Sequence, residues 1–467
     1  MKKKVVVIGG GLAGSLISNQ LAGKGEVTLL EIGQEHTFNT PNIFYKRKKL
    51  AQVATFCHGG GGTTNLWHNG LIPIHEKDVA TPDFAEILTD AKRFIDEAAS
   101  ALYFPENSYL AEYAKISAEI NALVDELSVF KDGVDCLIYP KKFKKLSLVK
   151  DVDAHYSVRN IEFVPGERRI KTVKFTKGRN EYAIDPDVVI VSAGALGTPG
   201  ILKEIIDSTG DHFPSLGTGF IDHPIGFVGK VKFCQGVSEI FSKLSICDLG
   251  NYISRNAIRI KSACGKYTCC VFFRPAFTMH NSLVIYKYKS LLGASKGVDR
   301  LKNLLSFKVF HPDILAEIIA HLTSLQIPGR IYNIFFVAEQ RRGNNRVFYE
   351  NGKLIVDWCI TDEELTLYRQ SLVKLNGMLS GISEELDIKT DITEDWLWSA
   401  AHHSCTSPLG NTDLDLIDKD LKLKFCDNVY VCDGSVIQEH SYANTGLAIA
   451  QMSLRLSEKI LKSFIDC

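Results

Sequence analysis

The chain has 467 residues, 45% of them apolar and 23% charged. That is the composition of an ordinary globular protein with room for two or more cores. Its 54 basic and 54 acidic residues balance, so no global field favours nucleic acid or an anionic membrane, and no nucleic-acid partner is expected. Twelve cysteines are scattered without a Cys-x-x-Cys pair, which argues against a zinc ribbon or other metal site and for reduced, mostly buried thiols.

Met1 and three lysines before an apolar run imitate a signal peptide. That run leads into a glycine fingerprint, and no Ala-x-Ala-like cleavage site follows, so a cytoplasmic location is expected. No stretch approaches the roughly twenty apolar residues of a membrane span. Val5, Val6, Val7 and Ile8 read as a strand buried on both faces. Gly9, Gly11 and Gly14 follow with Gly-x-Gly-x-x-Gly spacing, residues 12–23 read as a helix, and residues 27–30 as a second strand ending at Glu31. A dinucleotide needs this order. The first glycine permits the tight turn, the second lets a pyrophosphate approach, and the third lets helix and strand pack. The helix start at Leu12 and Ala13 presents N–H groups to phosphates. Glu31 stands where an acid can bind ribose hydroxyls.

Lys46, Arg47, Lys48 and Lys49 are either a solvated loop or a phosphate-binding patch. Four consecutive glycines, Gly59, Gly60, Gly61 and Gly62, cannot be a helix or strand interior and allow close approach to a flat or anionic group. Thr63, Thr64 and Asn65 offer hydrogen bonds beside it, and Trp67 and His68 would face a ligand or cap its cavity. Residues 82–103 and 109–127 read as amphipathic helices covering the sheet. Strand patterning returns at 161–173 and 182–191, with Pro165-Gly166 as the turn. Residues 188–191 form another buried strand, which runs through Ser192-Ala-Gly-Ala-Leu-Gly-Thr-Pro199 into a helix. Both strand-to-glycine-to-helix crossings should meet in one sheet.

Residues 225–360 are richer in strand-like pieces, 257–260, 267–273 and 331–338 among them, and suggest an antiparallel second domain. A helical insertion over 291–325 carries Lys296, Arg300, Lys302 and Lys308 among leucines. It is either a solvated surface pair or a membrane-surface contact. Residues 362–386 read as an amphipathic helix capped by Thr361 and Asp362. Near the C-terminus come His402 and His403, a strand from Val429, the turn Asp433-Gly434-Ser435, and Ser441-Tyr-Ala-Asn-Thr-Gly446 leading into a last helix over 447–464.

In this order the stretches resemble the glucose–methanol–choline (GMC) family of flavin oxidoreductases. The pieces are the N-terminal fingerprint, Gly61-Gly-Thr-Thr64, Val189 to Pro199, Leu216-Gly-Thr-Gly-Phe-Ile-Asp-His-Pro224, His402-x-x-Cys-Thr406, and Asp433-Gly-Ser435 with Asn444 beyond it. The ordered set excludes a plain NAD dehydrogenase. The resemblance implies an α/β chain, α+β overall, with a discontinuous Rossmann-like FAD-binding domain (1–79, 145–224 and 396–467). A helical cover (80–144) and an antiparallel-sheet substrate domain (225–395) complete it. It implies FAD contacts at Gly9, Gly11, Leu12, Ala13, Gly14, Glu31, Gly61, Gly62, Thr63, Thr64, Asn65, Ala193, Gly194, Asp433, Gly434, Asn444, Thr445 and Gly446.

The implied chemistry is oxidation of an alcohol, a sugar or polyol by analogy, to a carbonyl. His402 would take the hydroxyl proton and Asn444 would bond the same oxygen. His403 is the rival base, and otherwise lines the substrate site with Trp67 and His68. Cys405 stands where the family has glycine, so the backbone at His402 is expected to differ. Thr445 replaces a common proline. Leu66 occupies the slot where some relatives attach flavin through histidine, so non-covalent FAD is expected. Oxygen, quinone or a protein remains open as electron acceptor. Two other readings compete. One is a membrane-surface dehydrogenase acting on a lipid-linked sugar or feeding quinone, in contact through 291–325. The other is a flavin-binding scaffold without catalysis.

Overall fold

A computed structural model describes residues 2–51, 53–142, 146–262, 265, 267–294, 303–304, 307–323 and 329–465. Five parallel strands build the first sheet, in the order Val429–Val431, Val188–Val191, Lys4–Ile8, Glu26–Glu31 and Val152–Tyr156. Val5 sits between Val27 and Val188. Val5, Val6 and Val7 are fully buried, because helices cover both faces of such a sheet and leave no position for a polar side chain. The two glycine crossings thus meet side by side, as their patterns predict. The edge strand Val152–Tyr156 has one buried residue, which is why its Val-Asp-Ala-His-Tyr sequence gave no strand signal. Helices Leu12–Leu21 and Thr445–Ile465 pack against each other.

The second sheet is antiparallel and has eight strands. Its order is Cys247–Asp248, Tyr252–Lys261, Thr268–Pro275, Ile331–Ala338, Pro224–Phe233 and Ser383–Ile388. Val134–Pro140 pairs with Tyr252–Lys261, and Trp398–Ser399 with Pro224–Phe233. Val134–Pro140 lies inside the stretch read from sequence as helical, so that stretch ends in a sheet strand. The helices before it are shorter than their pattern suggests: Pro82–Ala91 and Ile95–Ala101 are separated by a tighter turn, and Tyr109–Asp125 follows. Val158–Gly166, Arg169–Lys177 and Asn180–Ile184 form a small meander. It packs on helix Gly194–Thr209.

Helix Asp362–Ser380 starts at a capping box between Thr361 and Glu364. It ends six residues before the sequence expectation of 386, because Ser383–Ile388 leaves to become the sheet's edge strand. Of the helical insertion, Leu283–Ala294 and Pro312–Thr323 are helices. Lys296, Arg300 and Lys302 lie outside the described residues. Among the described residues no helix is long and apolar enough to cross a membrane.

Candidate active site

A cavity of about 1090 Å³ is lined from both sheets. It gathers four distant pieces of chain. Gly9, Gly11, Leu12, Ala13 and Glu31 come from the N-terminus, and Gly62, Thr63, Thr64, Leu66, Trp67 and His68 from the glycine loop. Ala193 and Gly194 come from the second crossing, and His402, Asp433, Gly434, Asn444, Thr445 and Gly446 from the C-terminal block. Gly14, Gly61, Asn65 and His403 are not on this wall. A Cβ on Gly14 would stand 1.9 Å from the Gly9 carbonyl oxygen, so Gly14 serves helix–strand packing. Asn65 Nδ2 donates to the carbonyls of Gly60 and Gly62 at 3.0 and 2.8 Å and holds the glycine loop in shape.

Gly9 and Gly11 are glycines for different reasons. Gly9 has φ +110°, and a Cβ there would lie 2.4 Å from the Ser192 carbonyl oxygen. Gly11 has φ −77° and ψ −165°, a conformation open to any residue. The nearest atom to a Cβ there is the Gly62 Cα at 4.0 Å. The protein itself does not require glycine at 11, and the open space above it would admit a group lying over the loop. Nearby, the Ser192 hydroxyl lines the cavity, buried and without a hydrogen-bond partner. Helix Leu12–Leu21 starts with no side-chain cap and no acid in its first turn. Its N–H groups therefore remain available to an anion. These features fit the pyrophosphate of FAD.

Two buried carboxylates hold the cradle. Glu31 accepts from the backbone N–H groups of Gly10, Gly33 and Gly59 at 2.7, 2.8 and 2.9 Å. It thereby ties the fingerprint to the glycine loop, a role that its spacing from Gly9 did not reveal. It also reaches the cavity, where a carboxylate's remaining lone pair can meet a hydroxyl. Asp433 accepts from Gly194 N–H at 2.9 Å, Ser435 N–H at 2.7 Å and the Thr198 hydroxyl, joining the second crossing to the C-terminal block. Burial pushes its carboxyl up from the ordinary range.

His402 is held by a second histidine, His223, which comes from the Asp222-His223-Pro224 segment. The two Nδ1 atoms are 2.7 Å apart, and His223 Nε2 is 2.8 Å from the Ser441 carbonyl oxygen. A carbonyl only accepts, so His223 Nε2 carries a hydrogen and its Nδ1 is the acceptor. His402 must then donate from Nδ1, which leaves its Nε2 with a free lone pair. Burial pulls the His402 imidazole down to about 4 and holds His223 well below its ordinary value. Both rings are neutral at neutral pH, as this tautomer requires. The His402 N–H and the His223 N–H both donate to Asp222 Oδ1, at 3.0 and 2.7 Å. Burial pushes the Asp222 carboxyl up to about 7.

His403 turns into the protein. It packs against Phe220, and its Nε2 stands 3.5 Å from Asp222 Oδ2. Burial holds it at about 3.

Asn444 shares the cavity wall with His402, and its Nδ2 donates to the Gly70 carbonyl at 3.2 Å. Gly446 must be glycine because a Cβ there would meet the Trp67 indole at 2.5 Å. Trp67 thereby covers the first turn of helix Thr445–Ile465, whose N-terminus faces the cavity through Thr445 and Gly446. Cys405 has φ +62° and is fully buried. A cysteine therefore holds here a left-handed backbone of the kind glycine favours. A side chain there costs about 1–3 kcal/mol of strain. Asp222, His223, Arg255 and Arg274 belong to this region and escaped the sequence reading. The only signal was the Asp-His-Pro motif, which marked a segment and not a function.

A glycine-built cradle on a parallel sheet thus adjoins an antiparallel sheet and a neutral buried histidine. Residues 366–453 match the family model described as GMC oxidoreductase. The fold agrees over nearly the whole chain with two solved structures. One is pyridoxine 4-oxidase from Mesorbium loti, with TM-score 0.57, 14% identity, and coverage of 98% of this chain and 99% of that one. The other is an FAD-dependent oxidoreductase from Chaetomium thermophilum, with TM-score 0.60, 12% identity, and 99% of each chain covered. No curated protein matches the chain in sequence. Residues 366–453 thus resemble the GMC oxidoreductases, and the whole chain shares its fold with two solved oxidoreductases.

Proposed function

We propose that this enzyme oxidises the hydroxyl of a sugar or another polyol, with His402 as general base and Asn444 as its hydrogen-bonding partner. One observation carries the reading: the His223 contact forces the His402 hydrogen onto Nδ1 and leaves Nε2 unprotonated in a residue that lines the cavity. Removing hydride from carbon leaves positive charge unless the hydroxyl proton departs too. His402 takes that proton on Nε2. Asn444 keeps one amide hydrogen beyond its bond to Gly70 and can donate it to the substrate oxygen. Neither group competes for the other's role, because an amide does not accept a proton near neutral pH.

Gly9, Gly11, Leu12, Ala13, Thr63, Thr64, Ala193, Gly194, Gly434, Thr445 and Gly446 would hold FAD. Glu31 and Asp433 keep their loops in place. FAD, when bound, supplies the two-electron acceptor. Leu66 lines the cavity at the attachment slot and has no group to bond flavin, which supports non-covalent binding. The five-stranded parallel sheet, drawn from 1–79, 145–224 and 396–467, supports a discontinuous FAD domain, although Val134–Pro140 and Trp398–Ser399 pair into the antiparallel sheet. Acid precipitation tests the binding mode: FAD released to the supernatant supports it, and flavin retained in the pellet refutes it. Anaerobic mixing with sugars and polyols tests the substrate class by loss of the flavin's visible absorbance.

A second reading, catalysis at a membrane surface in the cytoplasm, is favoured by one feature. Phe277, Val284, Phe310, Leu315 and Ile319 are exposed at 46%, 57%, 73%, 38% and 45% and fall in one short stretch of the chain. Exposed apolar side chains along one segment of chain suit an interfacial contact. Co-sedimentation with anionic liposomes separates the readings, since a soluble enzyme stays in the supernatant.

A further inference from the structure

A second cavity, also about 1090 Å³, adjoins the first. The two share Leu66, His68, Tyr139, Arg255, Arg274 and Ala401 in their walls. Ala401 immediately precedes His402, so the second cavity reaches the residue next to the base, which itself lines the first cavity. Its wall carries seven basic side chains against two acidic ones, in a chain whose charges balance overall. Arg47 is tied to Asp357 at 2.5 Å. The other six are Lys48, Lys49, Arg255, Arg274, Lys287 and Lys289. Two of them, Lys48 and Lys49, come from the basic run that the sequence left undecided between solvated loop and phosphate patch.

These cations are set on a built surface. The Arg274 guanidinium lies 4.3 Å from the centre of the Phe335 ring, and Lys289 Nζ 4.9 Å from that of Phe227. Arg255 lies over Tyr139 at 5.9 Å. Lys289 is only 3% exposed. Arg255, Lys49 and Lys287 have no carboxylate partner among the described residues. Burial and the neighbouring Lys287 push the Lys48 ammonium down, while Glu394 and Asp395 push it up. Gathering like charges around one enclosed space costs desolvation and repulsion. An anion bound there offsets both, and guanidinium groups over aromatic faces suit an oxyanion in contact with an apolar neighbour.

We propose that the substrate is an anionic alcohol, with a phosphate or pyrophosphate group held among Arg255, Arg274 and Lys289 while the carbon to be oxidised lies at His402. This rests on the alcohol-oxidation reading above and names its substrate class. The cavity's aromatic floor, Phe227, Phe335 and Trp398, receives the apolar surface between the two ends. The phosphate belongs either to a free sugar phosphate or to a lipid headgroup, and the recognition chemistry is the same.

Calorimetric titration of the flavin-loaded protein tests this. Inorganic pyrophosphate is expected to bind and glycerol not to. The affinity should fall steeply as salt is raised. Arg255→Gln and Lys289→Gln should each weaken pyrophosphate at least about tenfold, or ~1.4 kcal/mol, with flavin content reporting that each variant folds. Glucose 1-phosphate, and vesicles of phosphatidylglycerol set against phosphatidylcholine, distinguish the two sources. Arg255-dependent binding of either one supports the proposal. Flavin-loaded protein that binds none of these anions, or binds them unchanged in both variants, overturns it and leaves the alcohol reading standing. If anions bind with the expected dependence on Arg255 but no alcohol reduces the flavin, the alcohol reading fails and the anion site stands.

Discussion

Replacing His223 by leucine should slow the enzyme without touching substrate or the base itself. The side chain is fully buried and leucine is close in volume, so the fold should survive. The His402 Nδ1–H then loses its acceptor at 2.7 Å. Leaving a buried donor unpaired costs about 1–3 kcal/mol. His402 escapes that cost by moving its hydrogen to Nε2, which removes the lone pair from the cavity. The active tautomer falls by the same free energy, roughly 5- to 150-fold, since 1.4 kcal/mol is about tenfold. Anaerobic stopped-flow reduction of bound flavin reads this step alone. His402→Ala should fall about 100-fold or more, the low end of general-base catalysis. His223→Gln, whose amide oxygen can accept the same hydrogen, should recover part of the rate that His223→Leu loses. Wild-type speed in His223→Leu, or no recovery in His223→Gln, would refute the tautomer argument.

Three other expectations follow from the same geometry. Asn444→Ala should slow flavin reduction less than His402→Ala, and the double variant should lose less than the product of the two single fold-losses, because both act on one oxygen in one transition state; multiplicative losses would separate the two residues' roles. Gly11→Val should fold, since its backbone and the 4.0 Å to Gly62 accept a side chain, yet bind no flavin; a folded variant with full flavin content would show that the pyrophosphate lies elsewhere. Acid should destabilise the protein. Burial holds His58 and His402 at about 4, His403 and His440 at about 3, and His223 also low. The unfolded chain therefore binds these protons first, and their contribution is present above about 6.5 and lost as pH falls toward 4. Asp222 and Glu339, each raised to about 7, and Asp433 and Glu364, also raised, work in the opposite direction, but they are fewer than the five histidines. Urea midpoints that stay flat between neutral pH and 4.5 would contradict this.

The parallel sheet was legible because its two central strands, at 5–8 and 188–191, are unbroken apolar runs with glycine one and three residues beyond them. Val134–Pro140 was not, because Asp135 interrupts it. That carboxylate is buried and bonded by the hydroxyls of Tyr113 and Tyr442, with His75 at 3.1 Å. Partners so distant along the chain are invisible to a local pattern. His223 escaped for the same reason, since 179 residues separate it from His402. Glu31 was found by spacing, but its hold on Gly33 and Gly59 depends on how two loops stack. Cys405 shows the reverse case. Its identity gives no sign of a left-handed backbone, yet the surrounding structure holds φ at +62° and accepts the strain.

The central claim is alcohol oxidation at FAD with His402 as base. Anaerobic mixing of the flavin-loaded wild type and His402→Ala with sugars, polyols and their phosphate esters tests it most directly. The account predicts loss of the visible flavin absorbance in the wild type with at least one of these alcohols. In His402→Ala the same loss should be about 100-fold slower or more, at equal FAD content. Equal rates in the two proteins would contradict it.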